Sequence, residues 1–343
     1  MQRWWLPGHR LKNRPYEISE ALGQGGFGVT YKANNLALDV PVVIKTPNIG
    51  LQRDKNYSTY LDSFKKEARQ LAKLGMNPHP HIVRVFDFFV EDELPCIVMD
   101  YIPGNSLYDL VQMNGVISEV KALEYIRQIG SALSVCHNRG IFHRDVHPNN
   151  ILIHTESGKA ILIDFGISGS TQSTRSNRSG NKAFAPWEQL ISFGEQSSKT
   201  PQVDIYTLAA SLFYLLTGET PVPSLARKFN NDELTEPKQY NPQISDHINE
   251  AILKGMGIEA GDRPQTVEAW LKMLKPAQPT VSLPVQLKYT EPTTIPVPSR
   301  NKAPKQKVTV SEQPPIKSKS QPKRVVANKN NPISQPFTKK KLF

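Results

Sequence analysis

The stretch Ile141-Phe142-His143-Arg144-Asp145-Val146-His147-Pro148-Asn149-Asn150, with an acid bracketed by apolar residues at Ile163-Asp164-Phe165-Gly166, decides how this chain of 343 residues is read. Asp145, Asn150 and Asp164 put two carboxylates and a carboxamide on short loops between apolar segments. Hard oxygen donors of this kind suit a dication such as Mg²⁺ held against a triphosphate, with one carboxylate left to receive a hydroxyl proton. A His, an Arg and an Asp together are common by chance. The ordered set is not.

Between these loops, residues 151–153 and 160–163 read as short strands around a Glu156-Ser157-Gly158-Lys159 turn. Ahead of them, Ala122, Ile126, Ile129, Leu133 and Cys136 recur at helical spacing, with Ser118 placed to cap and Gly140 to stop. That stripe predicts a long buried helix. Residues 204–216, 246–256 and 266–274 also read as helical. Before about residue 100 the pattern changes: β-type segments at 16–22, 29–33, 41–45, 82–89 and 96–101 surround one helical segment at 59–74. The expectation is an α+β chain, a sheet-rich lobe followed by a helical one.

The sheet-rich part holds a GxGxxG, Gly23-Gln24-Gly25-Gly26-Phe27-Gly28, which alone mostly marks a turn. In a dinucleotide-binding fold its third glycine would open a helix, yet Val29-Thr30-Tyr31-Lys32-Ala33 continues as strand, so that reading fails. What remains is a glycine hairpin whose backbone N–H groups can approach phosphate oxygens. Val42-Val43-Ile44-Lys45 runs three apolar residues into a lysine, ordinarily just a solvated strand end. Glu67, at the edge of the Phe64, Ala68, Leu71 stripe, is placed to pair with it. A lysine held that way would present its ammonium to a polyphosphate.

Taken together, residues 15 to 275 resemble the eukaryotic-type protein kinases, most closely the bacterial serine/threonine members and particularly those of cyanobacteria, whose opening resembles Leu6-Pro7-Gly8 with Asn13-Arg14. The family signatures occur in order: the glycine loop, Lys45, Glu67, His143-Arg144-Asp145 with Asn150, and Asp164-Phe165-Gly166. Later marks agree, with Pro186-Trp187-Glu188 in the Ala-Pro-Glu position, a helix start at Asp204, and Asp262-Arg263-Pro264 to supply an ion-pair partner for Glu188. The resemblance implies a bilobal kinase fold, with a small β-rich N-lobe carrying one main helix over about 15–102 and a larger helical C-lobe over about 103–275. It implies ATP as cofactor with Mg²⁺ or Mn²⁺, and protein Ser/Thr hydroxyls as acceptors. Leu22, Gly23, Gln24, Gly25, Gly26, Phe27 and Gly28 would cover the nucleotide. Lys45 would contact the phosphates while paired to Glu67, and Asn150 with Asp164 would hold the metal. Asp145 would act on the hydroxyl proton, with His147 beside it. Val43 and Leu152 would pack the base between them, Asp100 and Ile102 of the hinge would offer it backbone groups with Met99 as gatekeeper, and Thr30 and Ser106 would also line the nucleotide site.

Two departures stand together. The family's lysine two residues past the catalytic Asp is His147 here, and its threonine before the Ala-Pro-Glu mark is Asn181. An imidazole gives less electrostatic help than an ammonium, so slower transfer is one expectation, and an ATP-binding scaffold without useful transfer is the alternative. A small-molecule kinase is disfavoured by the Ala-Pro-Glu mark. Between Gly166 and Phe184 the chain is rich in hydroxyls and lacks tyrosine. As an activation loop it would carry a phosphate on Ser168, Ser170, Thr171, Ser173, Thr174, Ser176 or Ser179, pairing with Arg144.

Charge is distributed unevenly. Of 42 basic and 31 acidic residues, 13 basic residues but only Glu291 and Glu312 lie from Pro276 onward, so the tail carries the whole +11 and the body holds 29 of each sign. Rich in proline and poor in apolar residues, the segment 276–343 reads as a disordered basic tail with a possible anionic partner. Residues 1–14 read as an N-terminal extension. Two cysteines, Cys96 and Cys136, exclude a disulfide framework, and neither a signal peptide nor a transmembrane run is evident, so a cytoplasmic chain is expected.

Overall fold

A computed structural model of the chain describes residues 4–24, 28–48, 50, 55, 57–75, 77–165, 179–191 and 200–276, with the side chains of Ser63, Glu67 and 179–181 outside that description. The first lobe is an antiparallel sheet in the order β1-β2-β3-β5-β4, from β1 (Tyr16–Gln24), β2 (Gly28–Asn35), β3 (Val40–Pro47), β4 (Val85–Glu91) and β5 (Leu94–Asp100). Gly28 is required where β2 starts against β3, because an added Cβ would stand 2.9 Å from the Thr46 carbonyl oxygen. The β4–β5 connection places Asp92 and Glu93 both at positive φ, the two-residue turn whose twist matches antiparallel strands. Helix α1 (Tyr57–Gly75) covers one face of the sheet. Its Tyr60, Phe64, Ala68, Leu71 and Leu74, at helical spacing, are buried with Val43, Val85, Ile97 and Met99.

The other face has its own core, Tyr16, Ile18, Val29, Tyr31, Ile44, Phe89, Cys96 and Val98, and the chain before residue 15 closes it. Leu11 is buried there, and the Trp5 ring lies 5.3 Å from that of Tyr31. The Ile18 N–H donates to the His9 carbonyl at 2.9 Å. The fully buried Glu91 carboxylate accepts the backbone N–H groups of Lys12 at 2.7 Å and Asn13 at 3.1 Å. Residues 4–14, in a segment that reads as an extension, thus form a packed strap. Its alternation is too short to announce that in sequence.

The second lobe begins with β6 (Gly104–Ser106) and α2 (Leu107–Asn114), neither evident from periodicity. Gly104 must be glycine: its φ is +152° and a Cβ would fall 1.9 Å from the Ile153 carbonyl oxygen. Helix α2 starts at a capping box in which the Ser106 hydroxyl accepts the Asp109 N–H. Helix α3 (Glu119–His137) follows the predicted stripe, though Ser118 makes no side-chain cap. Strands β7 (Ile151–His154) and β8 (Ala160–Leu162) complete the sheet β6-β7-β8. The remaining helices are α4 (Ser179–Phe184), α5 (Trp187–Ile191), α6 (Pro201–Thr217), α7 (Ser224–Phe229), α8 (Pro237–Tyr240), α9 (Asp246–Gly255) and α10 (Val267–Met273). Helix α6 is buried from Val203 to Leu216 and packs on α3, α9 and α10. Among the described residues no helix is long and apolar enough to cross a membrane. Cys96 and Cys136 are free and buried, and burial pushes both thiols up to about 12.

Candidate active site

The loop 141–147 between α3 and the short helical turn Pro148–Asn150 is held from beneath by Asp204, in the first turn of α6. Its carboxylate is wholly buried and accepts three donors: His143 N–H at 2.9 Å, Arg144 N–H at 2.6 Å and His137 Nε2 at 2.7 Å. Burial alone would raise its pKa, but the bond and charge of His137, with His143 and the Arg144 N–H, hold it below the usual carboxylate range. The His143 tautomer follows from its partners. Nε2 faces the Ile163 carbonyl at 3.0 Å and must donate, so Nδ1 is the acceptor for the Asp145 N–H at 3.3 Å. Burial keeps this imidazole neutral by lowering its pKa. Its ring packs 4.5 Å from Phe165, which is buried under α1. Asp145 and Asp164 are thereby aimed from one connected set of backbone contacts.

Both oxygens of Asp145 have partners. Oδ1 lies 3.3 Å from His147 Nε2, and Oδ2 accepts the Asn150 side-chain NH₂ at 3.1 Å. Burial works against this carboxylate, yet the His147 charge and hydrogen bond, His143 and Asn150 outweigh it and hold its pKa below normal. His147 is itself buried, with its ring 6.3 Å from Phe184 at the end of α4. The Asn150 NH₂ also donates to the Asp145 backbone carbonyl at 3.0 Å, so its amide oxygen points the other way. Across the cleft, Lys45, its side chain 12% exposed, pairs through Nζ with Asp164 Oδ1 at 2.9 Å, and Asp164 stands at φ +53°. The donor set fits a hard cation: one amide oxygen and one carboxylate. Among the described residues no group of three or more His, Cys, Asp or Glu converges to hold a metal alone, so phosphate oxygens would complete the coordination.

The other expected site residues fall around this cleft. Val43 pairs with Met99, Lys45 with Ile97 and with Thr30, and Gly23 with Thr30. Asp100 ends β5, where it pairs with Val42 of β3, and its N–H donates to the Arg84 carbonyl at 3.0 Å. Leu152 lies opposite Ser106 in the β6–β7 pair, while the Ser106 hydroxyl donates to Asp109 Oδ2 at 2.6 Å, within the α2 cap. Gly25, Gly26, Phe27 and the activation-loop hydroxyls 168–176 lie outside the described residues, as do the side chains of Ser179 and Asn181. Glu67 is on α1, but its side chain, and so the expected Lys45–Glu67 pair, is likewise outside them. Glu188 does meet Arg263, Oε1 to Nη1 at 2.6 Å. The anchoring role of Asp204 and the part played by His137 and Gln189 escaped the sequence reading. A lone charge in the largely apolar stretch 203–216 was the available signal for the first.

Residues 16–272 match the protein kinase domain family, and the chain belongs to it. Members of that family use ATP and a divalent metal ion. The serine/threonine-protein kinase PrkC of Bacillus subtilis is 32% identical over 268 residues, covering 77% of this chain and 40% of that protein. Serine/threonine-protein kinase C of Synechocystis is 31% identical over 272 residues, covering 78% and 50%. The chain thus spans between two-fifths and half the length of these curated relatives, and the cyanobacterial kinase is no nearer than the Bacillus one. The solved structure of PpkA-294 in its apo form superposes with a TM-score of 0.66 at 27% identity, covering 80% of this chain and all of that one.

Proposed function

We propose that this chain is a serine/threonine protein kinase that transfers the γ-phosphoryl group of Mg-ATP to protein hydroxyls, acting through residues 15–275. The observation that carries it is the placement of Asp145, bonded to the Asn150 amide and His147, beside an Asp164 paired to Lys45 at 2.9 Å. In this reading Asp145 receives or orients the hydroxyl proton. Its depressed pKa keeps it ionised and ready as acceptor. The Lys45 ammonium contacts the α- and β-phosphates, and Glu67 steadies it. The Asn150 amide oxygen and Asp164 hold the cation, which neutralises charge on the phosphates. The glycine loop of residues 23–28 lies over the phosphates. Val43 and Leu152 enclose the base, and Asp100 and Ile102 offer it backbone groups beside Met99. The basic segment from Pro276 onward gives salt-sensitive attraction to an anionic partner.

The test is phosphate incorporation from radiolabelled ATP, followed by phosphoamino-acid analysis, for wild type, Lys45→Met and Asp164→Asn. Both variants should lose labelling while keeping the folded circular-dichroism spectrum, since each removes a charge facing the cleft. Label equal to wild type in either variant refutes the assignment.

A further inference from the structure

The peptide unit joining Arg144 to Asp145 carries the side chain on which the reaction depends, and it is held at both polar ends. Its N–H donates to His143 Nδ1 at 3.3 Å, and its carbonyl accepts from Gln189 Nε2 at 2.6 Å. A carbonyl oxygen only accepts, so the group facing it is the Gln189 NH₂, and the orientation of that amide is fixed by chemistry. One residue earlier, the Arg144 N–H is taken by Asp204. Arg144 itself sits at φ +62°, a left-handed conformation that a residue with a side chain adopts only when its surroundings impose it.

The clamp has a rigid base. Gln189 stands on α5, one residue after Glu188, whose carboxylate is locked to the buried Arg263 guanidinium at 2.6 and 3.2 Å. Because the peptide is planar and trans, turning it swings the Asp145 Cβ with it. Two hydrogen bonds from opposite sides oppose that turn: one from the imidazole within the loop, the other from a helix 45 positions away in sequence.

We infer that Gln189 is a positioning residue for phosphoryl transfer: its amide fixes the plane of the Arg144–Asp145 peptide and so makes the aim of the Asp145 carboxylate depend on the seating of α5. The inference rests on the kinase reading above. Gln189 touches neither the cleft lysine nor the metal donors in the structure, so its loss should spare nucleotide binding. Catalytic geometry is far less forgiving than binding, since a displacement of the acceptor by a fraction of an ångström lowers the fraction of reactive encounters.

The experiment uses the full chain as wild type, Gln189→Met, Gln189→Glu and Asp145→Asn. It measures kcat and KM for ATP, the melting temperature, and amide hydrogen exchange of the peptide covering 141–147. Gln189→Met removes the donor at similar length, and Gln189→Glu turns a carboxylate toward the Arg144 carbonyl. Expected are a fall in kcat of about tenfold for Met and more for Glu, with KM for ATP within about twofold of wild type. Exchange at 141–147 should quicken in both. A kcat within about twofold of wild type, or a loss that appears in KM and in melting temperature instead, overturns the inference. Should wild type and Asp145→Asn incorporate phosphate equally, the kinase reading itself falls. The exchange measurement then still decides the clamp, because unchanged protection of 141–147 in Gln189→Met refutes it.

Discussion

Arg263 offers the sharpest test of what holds the second lobe together. Its guanidinium is fully buried and all five of its N–H groups have acceptors. Nε donates to Gly257 O at 2.7 Å, Nη1 to Glu188 Oε1 at 2.6 Å and Gln202 O at 3.1 Å, and Nη2 to Glu188 Oε2 at 3.2 Å and Ile258 O at 2.8 Å. The Tyr206 ring lies against it, 4.9 Å from the guanidinium carbon. Replacing Arg263 by Met would keep most of the volume but strand the Glu188 carboxylate and take the Arg263 donors from the Gly257 and Gln202 carbonyls, while the Ile258 carbonyl would keep the Trp187 Nε1 donor at 3.0 Å. Breaking one side of a buried pair costs about 3–5 kcal/mol. For a domain of this size each kcal/mol lowers the midpoint by roughly 2–4 °C, so a fall of roughly 10 °C is expected. Arg263→Lys should fall between the two, since an ammonium has three donors and cannot grip the carboxylate with two parallel bonds. The assay is thermal unfolding followed by circular dichroism at neutral pH, with Arg263→Met, Arg263→Lys and Glu188→Gln compared. A midpoint for Arg263→Met within about 2 °C of wild type would show that the network contributes no net stability and that the reasoning from satisfied donors is wrong.

Acid should destabilise the fold in two windows. His143 and His79 have depressed pKa values, both chiefly through burial, so the unfolded chain takes up more protons as pH falls below about 6.5, and the stability present above that value is lost. Asp204 and Asp145, also depressed, add stability above about 4 that disappears as pH falls further. A midpoint that does not move between pH 7.5 and pH 5.5 (about one unit either side of the ordinary histidine pKa) would contradict the first window. His147→Lys should raise kcat severalfold if a fixed cation beside Asp145 is what the wild type lacks. If the single variant is slower and only the double change with Asn181→Thr recovers the rate, steady-state kinetics will have shown His147 and Asn181 to be a matched pair.

The sequence by itself determined the elements whose signal is local. The stripe from Ala122 to Cys136 gave α3 because a 3.6-residue period needs no distant partner to be seen. The antiparallel pairing of β1 with β2 followed from the strand pattern on both sides of the glycines, and Asp145, Asn150 and Asp164 were legible as oxygen donors on two loops between apolar segments. Tertiary structure alone decided how those groups are aimed. Lys45 meets Asp164 across 119 positions, Gln189 reaches Arg144 across 45, and Asp204 collects two loop amides and His137 from the far side of α3. The strap before residue 15 finds its place only because Glu91, at the far end of the sheet, has a buried carboxylate that needs two N–H donors. Periodicity reports which face of an element is apolar. A buried polar atom is stable only where some other part of the chain delivers its partner, and which part does so is settled when the elements pack.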